Sequence, residues 1–362
     1  MAMVIQGIYN NNKYFLADIP DIDVRYCVGE LTVVVTIGSD TVTEVYSPDN
    51  NMVVKIQGLY ELLYSYFSLP DFSIYSNEYI MDPKTVQFKF TDSSSSTTVT
   101  ISVIYTKAEL GYQPGDRYVF LSRYKSIKTA TSRKEYISFH KIDQSRLQLG
   151  VAYISSGKAK YKLVDLSMRT SYDCLYSRLV SVNKVAQDAG VGASTILFYD
   201  LKLYVSDTLR DHVKYEVDNN LYPNETNFLY YNPFGLPESM SFLGYVDLTP
   251  TYEGDINVFQ GYSKRQSSKV KDIKKVYSGF ISEAKYNAVK DMLVSDMLYT
   301  YSNDTFREVV IDDVEMEHTV PTNEVKGVSV TYYPARVNHA TFERTPNLKN
   351  RIFDKTFDHT FD

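Results

Sequence analysis

The run Leu31-Thr-Val-Val-Val-Thr-Ile37 places Leu31, Val33, Val35 and Ile37 on one face of an extended chain, a period of two that a helix cannot use. A turn at Gly38-Ser-Asp40 leads into Thr41-Val-Thr-Glu-Val-Tyr46, so the two runs read as a β-hairpin. A second turn at 47–51 precedes a strand over 52–56, and 58–67 has the composition of a short helix that stops before Leu69-Pro70. Further strands are expected over 85–90 and 97–105, joined by the polar loop 91–96. Residues 1–107 therefore read as a β-sandwich domain.

Residues 108–135 carry Gly111, Pro114 and Gly115 with Arg117, Arg123, Lys125, Lys128, Arg133 and Lys134, and read as a linker with some extended structure and a solvated basic face. Strands resume over 136–139, 147–154, 159–164, 195–205 and 212–217, giving a second β domain over 136–222. In 223–337 the strands at 227–231, 239–246, 307–312 and 325–333 accompany the best helical pattern in the chain. There Ser282 is the expected N-cap, and Ala284, Ala288, Val289, Met292, Leu293 and Met297 share one face. The expected fold is thus mainly β: two tandem β-sandwich-like domains, a smaller α+β module, and an extended C-terminal arm over 338–362.

The arm ends Phe353-Asp-Lys-Thr-Phe-Asp-His-Thr-Phe-Asp362, a repeat of Phe-Asp-x-Thr. As a strand it puts Phe353, Phe357 and Phe361 on one face and the Asp and Thr residues on the other. The phenylalanines also recur at helical spacing, but Asp and Thr are poor helix formers, so a strand is preferred. Such a strand spans ~33 Å at ~3.3 Å per residue and gains order by docking, with Phe353, Phe357 and Phe361 as the expected assembly interface on the sheet edge of a neighbouring copy. The alternative is a frayed terminus.

A length of 362 residues suggests two to four domains, and 44% hydrophobic with 23% charged residues is globular. No apolar run approaches the ~20 residues of a membrane span, so no membrane insertion is expected, and the N-terminus lacks the pattern of a secretory signal. Cys27 and Cys174 fit neither a disulfide framework nor a zinc pattern. The net charge of −6, with cations scattered among carboxylates, argues against direct nucleic-acid binding. The 33 Tyr, with no Trp, suit half-exposed sheets and wet interfaces, and also sugar binding, though sugar sites usually lean on Trp.

Chemistry finds no anchor. His140, His212, His318, His339 and His359 are isolated, Gly-x-Ser-x-Gly is absent, and Gly190-Val-Gly-Ala-Ser194 lacks the ending of a phosphate loop and reads as a flexible turn. Asp313, Glu315 and Glu317 would share a strand face, which reads as solvated in preference to a calcium or glycosidase site. The sequons at Asn224 and Asn303 carry little weight without a signal segment. No catalytic, cofactor-binding or metal-binding residue is expected, and no cofactor.

Several segments together resemble tail-associated structural proteins of phages and prophages of gut anaerobes. The 31–46 hairpin with Tyr46-Ser-Pro-Asp49, Val53-Val-Lys-Ile56 and Gly58-Leu-Tyr-Glu-Leu-Leu63 looks like the first domain of that group, and 120–139 like its connector. Tyr230-Tyr-Asn-Pro-Phe-Gly-Leu-Pro-Glu238 resembles its aromatic-Asn-x-Phe-Gly-x-x-Glu signature, although Pro233 and Pro237 depart from it; Gly235 and Glu238 are candidate turn residues. Residues 277–299 resemble its closing helix, and the Phe-Asp-x-Thr tail is similar too. The resemblance implies a non-enzymatic virion protein of the distal tail, baseplate or tail hub, made in the bacterial cytoplasm. Its partners would be further copies of itself, arranged as a ring, and other phage tail proteins. The alternative from another class is a glycan-binding tail-tip adhesin that uses exposed tyrosines. A glycan depolymerase would need two carboxylates converging in a cleft.

Overall fold

The computed structural model describes residues 3–71, 76–169, 173–220, 222–259, 262–302, 305–316 and 326–336. The arm at 338–362, with Phe353, Phe357 and Phe361, lies outside the described residues. Among the described residues strands make up 53% and helices 10%, so the fold is mainly β with a few helices.

The alternating hairpin forms as read, with Leu31 opposite Tyr46 and Ile37 opposite Asp40. It belongs to a five-stranded sheet in the order Lys13–Phe15, Ser96–Ile104, Lys84–Thr91, Leu31–Ile37, Asp40–Tyr46. Leu31, Val33, Val35 and Ile37 turn inward beside Val86, Phe88 and Phe90, and this face makes the first core. The helix expected over 58–67 is shorter, α1 (Leu59–Tyr64). The N–H groups of Tyr66 and Phe67 reach back three residues, to the carbonyls of Leu63 and Tyr64, which tightens and ends it.

Three short strands, Tyr136–Lys141, Cys174–Leu179 and Glu78–Met81, form a separate antiparallel sheet that is buried on both faces. Alternate side chains serve different cores. Tyr79, Met81, Tyr136 and Leu175 enter the first core, while Ile137, Phe139, Cys174 and Tyr176, with Ile80 beside them, enter a second. The polar positions are paired internally. Ser138 Oγ and Ser177 Oγ are 2.9 Å apart, Tyr176 Oη donates to Glu78 at 2.6 Å, and Arg178 bridges Glu78 at 2.8 Å and Asp188 at 3.0 Å.

The second core is closed by a five-stranded sheet, ordered Ser126–Thr129, Thr208–Val217, Ile196–Val205, Ser145–Ser155, Lys158–Leu166. Its first strand lies in the 108–135 stretch expected as a linker. Thr129 and, in part, Ile127 are buried while Lys128 faces water, so an edge strand can form there, and it pairs in parallel with Thr208–Val217. The helix α2 (Val182–Ala189) covers the same core with Val182, Val185, Ala186 and Ala189. Gly190, in the left-handed region at φ 66°, ends it by donating to the carbonyls of Ala186 and Gln187. The stretch read as a flexible turn is therefore a helix cap.

The third module is a seven-stranded sheet, ordered Pro237–Phe242, Thr226–Tyr231, Leu298–Ser302, Thr305–Met316, Val328–Pro334, Tyr262–Tyr277, Val246–Phe259. The helix α3 (Glu283–Leu293) seats Tyr286, Ala288, Val289 and Met292 against Phe228, Phe242, Val276 and Val330. Ser282 caps it, accepting from the Lys285 N–H at 3.3 Å, and it stops at Leu293, so Met297 lies beyond it. The turn after Thr226–Tyr231 plugs the first core with Phe234 and Leu236. Asn232 Oδ1 holds that turn by accepting from the N–H groups of Phe234 at 3.0 Å and Leu236 at 3.2 Å. Gly235 is at φ 68°, and a Cβ there would lie 2.7 Å from Leu69 and Met81 side-chain atoms. Gly235→Ala should therefore lower unfolding free energy by about 2 kcal/mol or more, measured by urea denaturation; an unchanged midpoint would refute the plug.

Candidate functional site

Two features remain after the cores are accounted for. The first is a long two-stranded ribbon. Val246–Phe259 pairs with Tyr262–Tyr277 from Val246↔Val276 to Phe259↔Tyr262, yet only Lys274–Tyr277 of the second strand pairs onward, with Ser329–Tyr332. About eleven residues of each strand thus extend past the sheet, a reach of ~36 Å at ~3.3 Å per residue. Along 262–277 the sequence has Lys264, Arg265, Lys269, Lys271, Lys274 and Lys275 against Asp272, in a chain of net charge −6. Thr305–Met316, two strands away, is its electrostatic opposite. Glu308, Asp312, Asp313 and Glu315 are exposed there, and beyond Glu308 the strand pairs on one side only among the described residues. Within one chain the two charges already attract, since Lys275 Nζ meets Glu315 at 2.7 Å.

The second feature is a cleft of about 590 Å³ where the edge strand Ser126–Thr129 meets Pro237–Phe242 and the start of α3. Glu135 lines it, almost fully buried, and accepts from Ser239 Oγ at 3.1 Å; burial pushes its pKa up despite the nearby charge of Arg133. Arg133 is committed to Glu225 at 3.0 Å and to the Lys128 carbonyl at 2.9 Å. Lys285 Nζ donates to the Ser241 carbonyl at 2.7 Å, and burial, aided by the Arg133 charge, pulls its pKa down to about 8. Phe280 stands on the rim, 80% exposed. Tyr124, on the wall, donates to Glu238 at 3.3 Å. Burial pushes the Glu238 carboxyl up to about 7, and the charge of Asp291 adds to the rise. Glu238 does not line the cleft, so among the described residues Glu135 alone faces it, not the carboxylate pair that glycoside hydrolysis needs.

The residues singled out in the sequence are scattered. His140 lies 2.9 Å from Asp173, itself 2.7 Å from Lys13, and these contacts hold the Asp173 pKa down at about 2, the His140 hydrogen bond first. Cys27 and Cys174 are buried in different cores. Asp313 and Glu315 are exposed beside a bulge, and Glu317 lies outside the described residues. Many of the tyrosines are core residues, with Tyr105, Tyr176, Tyr199, Tyr215 and Tyr230 fully buried, whereas Tyr9, Tyr161 and Tyr245 are exposed. Among the described residues no group of three or more His, Cys, Asp or Glu is placed to hold a metal ion, and no helix is long and apolar enough to cross a membrane. Sequence reading missed both the ribbon and the cleft. The ribbon's signal is the polar–apolar alternation of 246–258, which Pro250 and Gly254 obscure; the cleft joins residues from three distant segments.

No protein-family model matches the chain, and no curated protein matches it. Among solved structures it is similar to titin A168169, at 10% identity over 60% of this chain and 100% of that one, with a TM-score of 0.22. The titin Ig tandem A164-A165 gives 8% identity over 60% and 99%, with a TM-score of 0.20. The four N-terminal Ig domains of Dscam1 isoform 1.9 give 10% over 74% and 67%, with a TM-score of 0.16. Scores this low add nothing to the sheet orders described above.

The raised Glu238 pKa has a stability consequence. Its contribution is full below the ordinary value of 4.5 and is lost as pH rises through about 7. The melting temperature of the native chain, measured relative to Glu238→Gln, should therefore fall by about 2 °C or more between pH 4.5 and 7. Parallel curves would show that Glu238 titrates normally.

Proposed function

We propose that this chain is a non-enzymatic structural protein of a phage tail, of the distal tail, baseplate or tail hub type, that self-associates and bridges neighbouring tail components in the virion. The observation that carries the reading is the ribbon. Two strands alone are marginally stable in water, so a hairpin that outruns its sheet is best explained by a surface on which it lies. The basic sequence of its second strand, beside a first strand that carries Asp247, Glu253 and Asp255, suits an acidic receiver, and the exposed acidic strand Thr305–Met316 of another copy supplies one. A contact between two different patches of identical chains is heterologous, the kind that closes into a ring. The Phe-Asp-x-Thr arm offers a second contact of the same kind through Phe353, Phe357 and Phe361. The resemblance of 31–63, 230–238 and 277–299 to phage tail proteins points the same way.

A second reading, a glycan-binding adhesin at the tail tip, is favoured by one observation, the cleft with exposed Phe280 at its mouth. The two readings separate on a shortened ribbon. Replacing 252–270 by an Asn-Gly turn leaves 246–251 paired with 271–276 and should preserve the circular dichroism spectrum and melting temperature. Light scattering across a concentration series should then give a discrete oligomer for the full chain and a monomer for the shortened one. A full chain that is monomeric throughout, or a shortened chain that keeps the oligomer, contradicts the assembly reading.

A further inference from the structure

We propose that the cleft between the second sheet and α3 binds an acidic sugar of the uronic acid type, with its carboxylate on Lys285, a hydroxyl on Glu135 and its ring against Phe280. Lys285 is the first reason. Its ammonium has three N–H donors, yet its hydrogen bond among the described residues is the one to the Ser241 carbonyl at 2.7 Å. It also sits in the first turn of α3, where the helix dipole opposes a positive charge, and the Arg133 guanidinium repels it while Glu135 and Glu225 attract it. Burial is what lowers its pKa, and a ligand anion that accepts from the ammonium's remaining N–H donors in the cleft would offset that cost.

Glu135 decides what kind of anion. A bare inorganic anion placed near Lys285 would meet a buried carboxylate in the same cleft, a repulsion that a low-dielectric setting strengthens. A sugar acid offsets that repulsion, since its hydroxyls donate to Glu135, next to the Ser239 hydroxyl at 3.1 Å, while its carboxylate meets the ammonium; a bare anion has no such donors. Phe280 supplies the remaining element. It is 80% exposed on the rim, where a large apolar side chain has no use in the core and presents a flat face to the C–H groups of a pyranose. The volume, about 590 Å³, falls within the range of small-molecule sites and holds one or two sugar units.

The test uses the full chain with three probes, glucuronate, glucose and inorganic phosphate, read by saturation-transfer NMR and isothermal titration. Glucuronate should bind, with glucose and phosphate each about tenfold weaker or more, the loss expected when a charge-assisted hydrogen bond is missing. Lys285→Met should weaken glucuronate about tenfold or more while keeping the melting temperature, because it removes a charge that the fold tolerates poorly. Should Lys285→Met fail to fold, Phe280→Ala, at an exposed position, must still weaken glucuronate severalfold. The proposal is overturned if glucuronate does not bind, if phosphate binds as tightly, or if a folded Lys285→Met or Phe280→Ala binds glucuronate as the native chain does.

Discussion

Tyr136–Lys141 is buried at every position and Cys174–Leu179 at all but its last, and this small sheet is what the rest of the molecule rests on. A strand pair that is covered on both sides must find apolar partners above and below. Here the partners are two different cores, so the pleat itself allocates side chains: Tyr136 and Leu175 to one, Ile137, Phe139, Cys174 and Tyr176 to the other. Each such burial is worth about 2 kcal/mol, and neither core can lose the wall without losing its floor. The third strand, Glu78–Met81, comes from the N-terminal part of the chain, so the wall is also where distant sequence is tied together. The price of placing charge there is offset by pairing, with Glu78 meeting Tyr176 and Arg178, and Arg178 meeting Asp188.

The same logic extends to the third module. Phe234 and Leu236 plug the first core, and Arg123 pairs with Asp291 of α3, so the cleft lined by Glu135 and Lys285 has walls that belong to one packed body. A rigid body of this kind frees its outer sheet edge for contact. The Val246–Phe259 and Tyr262–Tyr277 ribbon departs from that edge, which is why assembly, not chemistry, is the function proposed for it.

How far the sequence reveals this depends on where each element gets its stability. The 31–46 hairpin was legible because its burial is one-sided, and alternation records one-sided burial directly. Helix α3 was legible through Ser282 and the spacing of Ala288, Val289 and Met292. Helix α2 had the same signals in shorter form, Ser181 before it, Val182, Val185, Ala186 and Ala189 on one face, and Gly190 after it, but its polar residues and short length hid them. Glu78–Met81 carries no local sign of its destination, since its partner lies almost a hundred residues on. The ribbon's first strand alternates, with Val246, Leu248, Tyr252, Ile256 and Val258 against Asp247, Thr249, Thr251, Glu253, Asp255 and Asn257, but its second, Tyr262–Tyr277, does not, so no hairpin is announced, and the cleft joins Glu135, Ser239 and Lys285 only through the fold.

The central claim is that a body fixed by its internal wall offers the ribbon to another copy, and hydrogen exchange measured by mass spectrometry at high and low protein concentration tests it most directly. Peptides covering 78–81, 136–141 and 174–179 should be protected equally at both concentrations. Those covering 249–259, 262–273 and 308–316 should gain protection only when the protein is concentrated. Concentration-independent exchange along the ribbon, or exchange in the wall as fast as in exposed loops, would contradict the account.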